Sequence, residues 1–63
     1  MNIREIYRDL IAARTWAVIG ESKKAQFMLS EIRDQASTQH FMRVKSKWDA
    51  VNDIIARNGD QPA

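Results

Sequence analysis

Sixty-three residues carry ten Lys and Arg against eight Asp and Glu, with one His and no Cys, for a formal charge of +2. That length makes one domain near the lower limit for independent folding; the lack of cysteine excludes disulfides and thiolate metal sites, and the small charge excess argues against a polycation. A single His40 works against a histidine-based metal site, no apolar run approaches membrane-spanning length, and residues 1–5 hold no leader-like apolar core, so a cytoplasmic protein without cofactor, metal or membrane contact is expected.

In chain order, a first helix is expected near residues 2–20. Asn2 can cap it, and Glu5 three residues on completes an Asn-x-x-Glu capping box. Ile3, Ile6, Tyr7, Leu10, Ala13 and Ala17 recur at helical spacing and share one face. Ala13 and Ala17, one turn apart, make the far end of that stripe small enough for another helix to come close. Towards its end this helix is apolar all round: Trp16, Ala17, Val18 and Ile19 are consecutive, and Ile11 and Val18 share a side outside the stripe. Apolar residues that one face does not account for either line a core on every side or stay exposed for a partner to cover. In so short a chain the second reading is favoured, and Trp16 and Ile19 become candidate partner contacts; a compact core centred on the same turn is the alternative.

The segment Gly20-Glu21-Ser22-Lys23-Lys24 is the clearest break, with Gly20 as a helix C-cap and Ser22 as the cap of the next helix. A second helix near 22–36 follows, its stripe formed by Ala25, Met28, Leu29, Ile32 and Ala36. Phe27 lies on the opposite side and joins Trp16 and Ile19 as a candidate contact. Ser37-Thr38-Gln39-His40 contains neither Gly nor Pro. Even so, the stripe ending at Ala36 and the one beginning at Phe41 would point roughly 120° apart on one ideal helix. Either the chain bends there, with Ser37 or Thr38 capping a third helix, or one long helix changes partners midway. The bend is favoured.

The third helix, near 38–58, has the strongest pattern in the chain. Phe41, Val44, Trp48, Val51 and Ile55 are spaced 3, 4, 3 and 4, the a/d alternation of a heptad, and such a stripe demands cover from a second surface. With Ala13 and Ala17 these five form the expected seam of the fold or of a dimer. Asn58-Gly59 should end the helix, leaving residues 59–63 as a polar tail.

Catalysis needs convergent groups, and few are available. Glu31 and Asp34 at i, i+3 and Asp49 and Asp53 at i, i+4 share helix faces, as acid–base work or a hard cation would require. They alternate with Lys and Arg in the manner of an ordinary solvated surface. The serines have only His40 as a base, and no glycine loop cradles phosphate; no enzyme is expected. His40, Arg43 and Lys47 fall at i, i+3 and i+7 and, with Lys45, make a basic strip in an interval without acidic residues. Doubled in a dimer, such a strip could hold phosphates, so a dimeric nucleic-acid-binding regulator is the alternative reading. No helix-turn-helix, basic zipper or aromatic stacking motif accompanies it.

Two Trp, two Phe, one Tyr and three Met exceed what so small a core buries comfortably, and these are residue types that dominate protein interfaces. The expectation is therefore an all-α domain spanning 1–63: a small helical bundle of two or three helices, completed by homodimerisation. It would bind another protein through Trp16, Ile19 and Phe27 as a regulator or inhibitor occupying a site there. Phage and plasmid regulators, inhibitors and antitoxins are of this kind by size and style alone.

Overall fold

A computed structural model describes residues 1–59. It contains three helices, α1 (Ile3–Val18), α2 (Ser22–Gln35) and α3 (Thr38–Gly59), packed into an elongated bundle of 38 × 15 × 15 Å. Among the described residues there is no strand, and no helix is long and apolar enough to cross a membrane. Of the expected polar tail at 59–63, Gly59 is instead the last residue of α3, and residues 60–63 lie outside the described residues.

Local chemistry accounts for four of the six helix ends. Asn2 Oδ1 accepts from Glu5 N at 2.9 Å, satisfying one of the amides that a helix start leaves without a partner. Gly20 follows α1 at φ 91°, a left-handed conformation that costs glycine little. Its N–H reaches Ala17 O at 3.2 Å and Glu21 N reaches Trp16 O at 2.8 Å, the paired bonds of a Schellman ending. Ser22, expected as a cap, is instead the first residue of α2; Glu21 precedes it and makes no side-chain cap bond. Helix α2 ends because Ala36 is extended, at φ −76° and ψ 143°. Ser37 Oγ then accepts from His40 N at 3.1 Å and opens α3. This bend resolves the mismatch in phase between the two stripes, and the single long helix is excluded.

The core is built from the expected periodicities. Ile6, Leu10, Ala13 and Ala17 of α1, Ala25, Leu29 and Ile32 of α2, and Val44, Val51 and Ile55 of α3 form one buried cluster. Phe41 and Trp48 are partly buried against it. The cover that the α3 stripe demands thus comes from α1 and α2 of the same chain, because the bend at 36–37 folds α3 back on them. Every fully buried alanine lies on α1 or α2, and these two helices make the most extensive pairing in the bundle, whereas α2 and α3 make the least. Small side chains at the crossing let the two axes approach.

Two long-range hydrogen bonds tie α3 down. Trp48 Nε1 donates to Leu29 O at 3.0 Å, bridging the thinnest of the three helix pairings. Asn58 Nδ2 donates to Ala17 O, the carbonyl that also accepts from Gly20, so both of its lone pairs are used. This bond joins the last turns of α1 and α3; with Lys47 over the Tyr7 ring in earlier turns of the same helices, it fixes that the two run in the same direction. Asn58 is therefore part of the fold; the expectation that Asn58-Gly59 merely ends the helix misses it. Replacing Asn58 by Ala should cost about 1 kcal/mol, the usual net worth of one such bond, and lower Tm by about 4–8 °C in a domain of this size. A thermal melt followed by far-UV circular dichroism measures it, and an unchanged Tm would remove the clamp from the account.

Candidate partner-binding surface

With the core closed, the bundle still leaves large apolar side chains in solvent. Ile11, Val18, Ile19, Phe27 and Met42 are 61–69% exposed, and Tyr7 is 39% exposed. Ile11, Val18, Phe27 and Met42 lie off the buried stripes of their helices, whereas Tyr7, expected on the inner stripe of α1, sits at its edge and is exposed. A chain that can bury ten apolar residues almost completely has placed five others largely in water.

The turn between α1 and α2 gathers part of this surplus. The Schellman ending reverses the chain within three residues, Ile19 to Glu21, and sets the last turn of α1 beside the first of α2. Trp16 and Phe27 then line one shallow depression of about 330 Å³, together with Met28 and the stems of Lys23 and Lys24. Lys24 Nζ lies 4.5 Å from the Trp16 ring centroid, a cation–π contact worth about 0.5–1 kcal/mol at an exposed position. Trp16 is partly buried and packs against the core while also lining the depression. Phe27 is 65% exposed. Ile19 sits at the α1 C-cap and is exposed, but it does not line the depression. Of the three candidate contacts, the turn brings two together.

The seam residues occupy the interior. Ala13, Ala17, Val44, Val51 and Ile55 are buried, and Phe41 meets Trp48 edge to face with ring centroids 5.5 Å apart, an arrangement that the ring quadrupoles favour.

The residues of the basic strip lie on α3. Lys45 Nζ pairs with Asp49 at 2.9 Å, and Lys47 Nζ lies over the Tyr7 ring at 4.9 Å. His40 is only partly exposed, with Nδ1 enclosed and without a hydrogen-bond partner; Arg43 is exposed. Among the described residues, no three or more His, Cys, Asp or Glu side chains gather as metal ligands would. The Lys47–Tyr7 contact joins α1 to α3 across 40 positions, and no local spacing signals it.

No family model matches this chain, and neither a curated protein nor a solved structure shows significant similarity to it.

Proposed function

We propose that this protein is a small non-enzymatic binding module, a regulator or inhibitor that occupies a site on another protein through the Trp16–Phe27 surface and the neighbouring Ile19. One observation carries the reading: a bundle that closes its own core leaves five large apolar side chains at 61–69% exposure. Exposed apolar surface of this kind has a cost in solubility, and partner contact is the commonest reason for keeping it. Trp and Phe anchors bordered by lysine stems resemble the centre and rim of a protein interface.

The test is affinity capture from a cell lysate on immobilised protein, with nuclease and at moderate salt, comparing wild type with Phe27→Glu. Phe27 is exposed, so the substitution should leave the melting curve within about 0.5 kcal/mol of wild type. It should weaken the dominant captured protein by about 30-fold, the loss of one interface anchor worth about 2 kcal/mol. Capture that disappears with nuclease would move the reading to a nucleic-acid-binding regulator acting through Arg43 and its neighbours, since phosphate-driven binding is steeply salt-dependent. Homodimerisation loses its original motive, because α1 and α2 already cover the α3 stripe. A dimer would have to be built on the exposed side chains, and sedimentation velocity of wild type and Phe27→Glu over a range of concentrations decides that point.

A further inference from the structure

A second surface lies on the other side of α1. Helices α1 and α3 run in the same direction and leave between them a groove of about 510 Å³. Its apolar lining includes Tyr7, Ile11 and Ile54, while Arg14, Lys47 and Arg57 line it together with a single carboxylate, Asp53. None of the three cations takes part in an ion pair among the described residues. Lys47 instead rests on the Tyr7 ring, and Arg57 Nε reaches only the backbone oxygen of Asp53, at 3.4 Å. The groove therefore offers positive charge beside an apolar lining and supplies almost none of the neutralising charge itself.

We propose that this groove binds an acidic amphipathic helix of a partner protein. A furrow between two packed helices accepts the ridge of a third, with apolar anchors at i, i+4 and i+7. The lining of α3 from Lys47 to Arg57 rises about 15 Å at helical pitch, close to three turns, which is room for a three-anchor segment of about 10.5 Å. Carboxylates flanking the anchors would meet Arg14, Lys47 and Arg57. The two depressions of a second copy do not supply the complement, since its own groove is cationic and the one at Trp16 and Phe27 is bordered by Lys23 and Lys24; self-association through another face is an outcome of the test. A nucleic-acid backbone would satisfy the cations but would leave the apolar lining without a partner.

The experiment uses the whole chain, isotope-labelled, titrated with a 15-residue synthetic helix carrying Leu anchors at that spacing and Glu at the flanking positions. Its counterpart with Lys in place of every Glu is titrated in parallel. The acidic peptide should bind and shift the amide signals of Ile11 and Ile54, and Phe27→Glu should bind it equally. The double variant Arg14→Glu/Lys47→Glu, both at exposed positions, should weaken it by at least about tenfold and gain affinity for the Lys peptide. Failure of the acidic peptide to bind, equal binding of the two peptides, or undiminished binding by the double variant would overturn the proposal. So would shifts confined to the Trp16–Phe27 depression, tighter binding of duplex DNA or phosphatidylserine vesicles at the groove, or self-association that covers it.

Discussion

Trp48→Ala is expected to leave most of the chain unfolded at room temperature. Truncating a packed Trp to Ala removes about 3–5 kcal/mol in a core, and a hydrophobic core in a chain of this length supplies only about 3–5 kcal/mol in total. The loss is therefore as large as the reserve. Two features place Trp48 at the severe end. Its ring carries the edge-to-face contact with Phe41, so truncation also exposes a second aromatic side chain. Its indole N–H bridges α2 and α3 at 3.0 Å, and that helix pairing has the fewest other contacts to hold it. Trp48→Phe separates the two contributions: it keeps an aromatic ring against Phe41 and deletes the hydrogen bond, at a cost of about 1 kcal/mol for the bond plus a smaller loss of packing. Far-UV circular dichroism with urea titration reads both variants. A folded Trp48→Ala protein whose midpoint lies close to that of wild type would show that α3 is held by something other than this residue.

The helices were legible because their signals are local. The 3, 4, 3, 4 spacing in α3 and the matching stripes in α1 and α2 identify the faces that meet, and the change of phase after Ala36 marks the bend. Gly20 marks the left-handed turn, since the chain reverses there in a conformation that favours a residue without a side chain. Ile11, Val18 and Phe27 fall off the stripes, and off-stripe residues have no core to enter. Other features depend on which residues distant in sequence the bundle brings together. The Asn58–Ala17 clamp spans 41 positions, and Asn before Gly reads locally as a helix end. Trp16 belongs by sequence to an apolar turn, yet the bundle buries it only in part and Lys24 lies over its ring. The cationic groove needs Arg14 on α1 and Lys47 and Arg57 on α3 to face one furrow, which follows only once the two helices are known to run in the same direction. Periodicity gives each helix its inner face; it does not say which outer faces become neighbours.

The sharpest test of that division is one substitution made at two places. Ile32→Asp should abolish folding, while Ile11→Asp should leave a folded protein within about 1 kcal/mol of wild type. Ile32 is fully buried, and no polar or charged residue is buried among the described residues, so no group in that core is available to pair with a carboxylate. An unpaired buried charge costs several kcal/mol even after local relaxation. Position 32 also lies in the last turns of α2, where the helix dipole disfavours negative charge. Ile11 is 69% exposed in the middle of α1, where an Asp loses helix propensity worth a few tenths of a kcal/mol and stays hydrated. If both variants fold, the assigned core is wrong. If both unfold, Ile11 is structural, and the apolar lining of the α1–α3 groove belongs to the fold. The expected split has a functional consequence: Ile11→Asp puts a carboxylate in that lining beside Arg14, removing an anchor site and neutralising a cation together. A folded Ile11→Asp protein that no longer takes the acidic helix would separate what this apolar residue does for binding from what its buried counterpart does for stability.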